Sequence, residues 1–131
     1  AGTAPPRNRR SIERVFDDFG RWPIEMQPPT RRLVNPPEPV LVDLSVAFHN
    51  PDDRFRRDTV TLRVKAEGLD LAAKPEGAAG LLLAWAQSTS GGWWGLVTME
   101  LRTGNGKGAL PVRQWCPARA LRPAPAEGVP G

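Results

Sequence analysis

Few side chains in this 131-residue chain could do covalent or metal chemistry: it has one His, one Cys, five Trp and no Tyr. His49, Asp52, Asp53 and Asp58 are the one constellation that resembles a metal or acid–base site. A divalent ion needs several ligands converging at about 2–2.5 Å. These four are strung around His49-Asn50-Pro51-Asp52-Asp53, where Asx turns account for the aspartates and Arg54, Arg56 and Arg57 neutralise them. They read as loop scaffolding. Cys116 stands alone between Trp115 and Pro117, with no base near it in sequence, and reads as an inward-packed structural thiol. Gly104-x-Gly106-x-Gly108 lacks the strand–helix context and the Lys-Ser/Thr ending of a phosphate loop, so it reads as a hairpin turn. No Ser/His/Asp or paired-carboxylate arrangement stands out. The expectation is a non-enzyme with no metal, no cofactor and no small-molecule substrate.

What remains as functional material is aromatic and cationic. The chain carries Trp22, Trp85, Trp93, Trp94 and Trp115, and a net charge of +4 built from fifteen Arg and three Lys. The charge is unevenly spread: residues 1–37 and 93–131 each carry +3, and residues 38–92 carry −2. The bias toward Ala, Gly, Pro, Arg and Val is that of a GC-rich coding sequence, which discounts the arginine excess as a functional signal. Useful affinity for a nucleic-acid backbone needs ~6–10 phosphates neutralised together.

At 14.3 kDa the chain is one domain's worth, and 40% hydrophobic content supports a modest core. One Cys excludes an internal disulfide, and one His with one Cys excludes zinc sites built mainly from those ligands. No apolar run approaches the ~20 residues of a membrane span, and the N-terminus shows no apolar secretory core. The expected setting is soluble and cytoplasmic, without a membrane partner.

These side chains must be positioned by short elements, because 28 of the residues are Pro or Gly. Residues 1–39 read as a basic, Pro-rich arm. Within it Ser11 caps a short helix over 11–19, with Ile12, Val15, Phe16 and Phe19 on one stripe and Gly20 after it. Six prolines between 21 and 39 predict an extended connector anchored by Trp22, Ile24 and Leu33. From Val40 the period becomes two: Val40, Val42, Leu44, Val46 and Phe48 predict one strand, and Val60, Leu62 and Val64 a second, antiparallel one. Leu81–Ala86, Trp93–Arg102 and Ala109–Trp115 predict three more, joined by the Ser88–Gly92 and Thr103–Gly108 turns. Cys116–Ala120 predicts a single 3₁₀ turn leading to Leu121, and residues 124–131 a tail. Residues 40–123 are therefore expected to form a mainly β, small antiparallel barrel.

The segment from about 80 to 123 resembles SH3-like barrels. Trp93-Trp94 opens a strand, a glycine-rich turn follows, and Trp115, Cys116, Pro117 and Leu121 fill the slots of an aromatic, an apolar residue, a Pro before a 3₁₀ turn, and an apolar residue entering the last strand. It is similar also to small tryptophan-rich modules of actinobacterial hypothetical proteins. The resemblance implies an SH3-like barrel in which Trp93 lines a peptide groove and Trp94 is structural. Ala120 stands where the family's 3₁₀-turn Tyr would be, and the chain has no Tyr to pave such a groove. The Pro23–Pro39 connector could then cover the Trp93 surface itself.

Two readings follow. The leading one is a protein–protein interaction module that binds a partner through Trp93, Trp115, Trp22 and Arg119 with the arm. The alternative is a nucleic-acid-binding barrel that stacks bases on an exposed Trp and tracks the backbone with Arg7, Arg9, Arg10, Arg14, Arg31, Arg32, Arg102, Lys107, Arg113 and Arg122. A third is a structural subunit of a larger assembly.

Overall fold

The computed structural model describes residues 19–23, 25–51 and 60–125. Five antiparallel strands form one curled sheet: β1 (Arg31–Val42), β2 (Ala78–Gln87), β3 (Trp93–Arg102), β4 (Ala109–Pro117) and β5 (Leu121–Pro123), in the order β4-β3-β2-β1-β5. Two short helices, α1 (Leu44–Ala47) and α2 (Leu62–Glu67), lie between β1 and β2, and a 3₁₀ turn (Ala118–Ala120) joins β4 to β5. The mainly β architecture and the last three expected strands are present. The expected helix over 11–19 falls almost wholly outside the described residues, as do Asp52, Asp53, Asp58 and residues 126–131.

The first half of the chain departs from its sequence pattern in three places, each for a physical reason. β1 starts at Arg31, nine residues before Val40, and runs through Pro36, Pro37 and Pro39. The prolines are tolerated because the ladder to β2 jumps from Leu33↔Ala84 to Glu38↔Leu82, leaving Val34–Pro37 in a wide bulge opposite Leu83. The other side of this stretch is a sheet edge, since β5 pairs only with Val40–Val42. Residues 31–39, expected in the arm, and residues 40–42, expected in the barrel, thus form one strand.

β1 then ends at Val42 rather than Phe48. Asp43 caps α1 by accepting hydrogen bonds from the Ser45 N–H at 3.1 Å and the Ser45 hydroxyl at 2.7 Å. Leu44 is still buried, but from a helical turn.

The Val60–Val64 run is not a strand either. Thr61 caps α2 through the Val64 N–H, and Gly68 closes it by donating to the Val64 carbonyl at 2.8 Å. Leu62 and Val64 are 83% and 45% exposed, so the apolar alternation buries little. β1, its expected partner, is flanked by β2 and β5 along Val40–Val42 and offers this run no edge. Instead α2 docks on the β3–β4 turn: Asn105 N–H reaches the Ala66 carbonyl and Gly104 N–H the Gly68 carbonyl, at 2.8 and 3.0 Å. A Cβ on Gly104 would collide with the Lys65 carbonyl oxygen, so only glycine permits this approach.

The core has two parts. The inner face of the curl holds Val40, Val42, Leu82, Val97, Met99, Leu101 and Cys116, closed by Leu44 and Ala120. The Gln114 side chain ties α1 to β4 by donating to the Ala47 carbonyl at 3.0 Å. The outer face carries a second cluster of Phe19, Leu83, Ala84 and Leu96, with Leu33, Ala86 and Trp115 packed against it. A register shift between Leu82 and Ala84 lets Leu82 face inward and both Leu83 and Ala84 outward. That bulge explains why three consecutive residues of this run are buried.

Candidate functional site

The outer face of the sheet carries an aromatic cleft. Two cross-strand rows build its floor. One runs Trp115–Leu96–Ala84–Leu33, and the next runs Pro117–Trp94–Ala86–Arg31. Side chains two apart on a strand share a face, so the pleat alone brings Trp94 and Trp115 to the same side.

Phe19 supplies the wall. It is buried, meets the Trp22 ring edge-to-face at 5.4 Å and the Trp115 ring at 6.0 Å, and lies beneath the Arg31 guanidinium at 5.4 Å. Trp22 is positioned by a turn in which its N–H donates to the Phe19 carbonyl at 3.0 Å. Its indole Nε1–H donates to the Thr30 hydroxyl at 3.1 Å, and Thr30 itself continues the ladder by accepting from Gln87 N–H. The resulting cleft, about 360 Å³, is lined by Phe19, Trp22, Ala86, Gln87, Ser88, Trp94 and Trp115. Trp94 is 41% exposed and Trp22 36% exposed, a large apolar area left facing water.

This corrects the sequence expectation for the paired tryptophans. Gly95, Val97, Met99 and Leu101 turn inward, so Trp94, Leu96 and Thr98 face out, and Trp94 is the exposed indole rather than a structural one. Both faces of β3 are apolar at positions 96 and 97, so alternation could not tell them apart; Phe19 covers Leu96 and leaves Trp94 open. Trp93 begins the same strand, is half-buried, and lies beneath the Arg32 guanidinium at 5.9 Å.

Of the residues expected to bind a partner, the structure brings Trp22 and Trp115 together and adds Trp94 and Phe19. Trp93 is not among the cleft residues, and Arg119 is exposed in the 3₁₀ turn, also outside the lining. Leu33, expected to anchor an extended connector, lies in β1 and packs on the outer cluster. Ile24 lies outside the described residues, and Arg32 of the connector lies over the Trp93 ring. Phe19 was legible only as the last apolar position of a helical stripe, and Trp94 only as a member of a Trp pair.

The described cations among those expected to track a nucleic-acid backbone come from β1, β3, the β3–β4 turn, β4 and β5. Arg7, Arg9, Arg10 and Arg14 lie outside the described residues. Arg31 and Arg32 lie over aromatic rings. Arg102 meets the Glu100 carboxylate at 3.3 Å, and Arg122 donates to the Pro75 carbonyl at 2.8 Å. Lys107 is exposed in the β3–β4 turn, and Arg113 is half-buried on β4 opposite Thr98.

The remaining titratable groups stand outside the cleft lining. Cys116 is fully buried, and burial pushes its thiol up to about 11. His49 is exposed after α1. Asp70 pairs with Lys74 at 2.9 Å, and that hydrogen bond holds the Asp70 carboxyl below its usual range. Among the described residues no helix is long and apolar enough to cross a membrane. Comparison of the chain with models of protein families, with curated proteins and with solved structures finds no match.

Proposed function

We propose that this chain is a non-catalytic protein–protein interaction module built on an SH3-like barrel, and that its recognition surface is the outer cleft of Trp22, Trp94 and Trp115 around Phe19. The observation that carries this reading is the Trp94 indole, 41% exposed at the mouth of an apolar cleft whose other aromatics are held in place. Exposed aromatics on rigid strands are the anchors from which protein interfaces draw most of their affinity. The SH3-like part of the proposal is supported by Pro117, the 3₁₀ turn over Ala118–Ala120 and Leu121 opening β5, in the order that the resemblance implies.

Selection of binding peptides from a random display library against the full chain tests this reading. Selected peptides should shift tryptophan emission and lose at least about tenfold in affinity in Trp94→Ala, the loss of one aromatic anchor. Peptides that bind Trp94→Ala as tightly as the unaltered chain would overturn the cleft assignment. A mixed-sequence oligonucleotide titrated at low and moderate salt separates the alternative, because phosphate binding must weaken steeply as salt rises. Tight, salt-steep binding there would replace the protein-partner reading.

A further inference from the structure

The cleft is not purely apolar in its surroundings. Arg31 stands in the same cross-strand row as Trp94, since Arg31 pairs with Ala86 and Ala86 with Trp94. Two strand spacings separate their backbones, about 10 Å. The Arg31 guanidinium lies over the Phe19 ring, and Phe19 is itself a wall of the cleft. Its Nε is buried without a hydrogen-bond partner, and among the described residues no carboxylate pairs with it. Among the described residues that line the cleft none is acidic, and the chain as a whole carries +4. A guanidinium held by a ring face but lacking a counter-ion keeps most of its attraction for an anion, and its fork of donors suits a carboxylate.

We propose that the cleft takes an acidic, extended segment of a partner protein. One aromatic or large aliphatic side chain of that segment seats among Trp22, Trp94 and Trp115. An Asp or Glu two to three residues along, at roughly 3.3 Å per residue, places its carboxylate on Arg31. This rests on the reading of the cleft as a protein-binding surface and adds the partner's charge. A nucleic acid offers the same pairing of ring and anion, but it needs several cations in register. Here Arg102 already meets the Glu100 carboxylate and Arg122 the Pro75 carbonyl.

The test uses the full chain and three synthetic peptides of equal length, each with one central Phe. The flanking residues are Glu and Asp in the first, Gln in the second and Lys in the third. Calorimetric titration should show the acidic peptide binding about tenfold more tightly than the neutral one, as a charge-assisted hydrogen bond provides, and the basic one weakest. In Arg31→Gln the three affinities should converge to within about twofold. Arg31→Lys, which keeps the charge without the fork, should retain part of the preference and guards against a folding defect in the first variant. Equal affinities for all three peptides in the unaltered chain would overturn the acidic preference, while their common loss in Trp94→Ala would leave the cleft itself intact as a binding surface. No binding by any peptide, or salt-steep binding of an oligonucleotide in their place, would overturn both. So would a concentration-dependent dimer that excludes the peptides, because a second copy would then be the occupant.

Discussion

Trp85 and Gly95 stand directly opposite each other in the β2–β3 ladder, and a Cβ on Gly95 would lie 3.2 Å from Cζ3 of the Trp85 ring. The same point is approached by Leu82 Cδ1 at 2.8 Å and by Leu121 Cδ1 at 2.6 Å. Residues of β2 and β5 thus converge on β3 where it has no side chain, which is how the short last strand closes over the curl. Gly95→Ala is expected to cost about 1–3 kcal/mol by overpacking. Urea unfolding would read this as a lower midpoint, and an unchanged midpoint would mean that the closure tolerates a methyl group.

Phe19 joins the segment before β1 to the outer face. Phe19→Ala removes the ring that Trp22, Trp115 and Arg31 all touch, and should destabilise the chain by roughly 3 kcal/mol, at the low end for a buried Phe. Trp22 and Trp115 lose a neighbour together, so their emission should shift to the red before global unfolding. A variant with native emission and native stability would contradict the anchoring role.

Cys116 provides a pH-dependent readout. Its thiol is raised in the fold to about 11 from an ordinary 9.0 because burial disfavours the thiolate. The unfolded chain therefore loses this proton first. The contribution to stability is fully present below about pH 9 and is lost as pH rises toward 11, at most about 3 kcal/mol in all. Alkylation by iodoacetamide should be negligible in the native protein near neutral pH and become rapid in denaturant. Comparable rates in both conditions would show that the thiol is not sealed.

β4 is an edge strand whose prolines protect it. The Thr103 N–H to Gly108 carbonyl bond, at 3.1 Å, sets the alternation, so even-numbered residues of β4 bond to β3 and odd-numbered ones turn their backbone outward. Pro111 and Pro117 occupy two of those outward positions and offer no N–H to an added strand. Pro111→Val should promote edge-to-edge association, seen as a rise in mass by sedimentation relative to the unaltered chain. No rise at any concentration would indicate that α1, tied to β4 through Gln114, already guards the edge.

The last three long strands were readable because their own residues decide them. Trp93–Arg102 combines β-branched, aromatic and apolar residues between two glycine-bearing turns, and Thr103–Gly108 carries the φ of +75° at Gly106 that its turn requires. Leu121 after Pro117 likewise places the closing strand. Within the candidate site, sequence singled out Trp22 and Trp115 as binding residues, but their meeting across Phe19 depends on a contact over more than ninety residues of chain.

The remainder belonged to the tertiary structure. Val60–Val64 has the alternation of a strand, yet Val40–Val42 of β1 had no free edge for it, and a local Thr61 cap made helix the available way to satisfy its backbone. Pro36, Pro37 and Pro39 argued against a strand, yet a bulge and an open edge absorbed their missing donors. Trp94 and Trp93 are interchangeable in a chain read one residue at a time. Composition and periodicity settled that this is a small β protein with turns at fixed places, because hydrogen-bonding capacity and side-chain period are local properties. Which indole meets water was decided only when Phe19 settled on Leu96 and Trp115, because exposure depends on what distant residues cover.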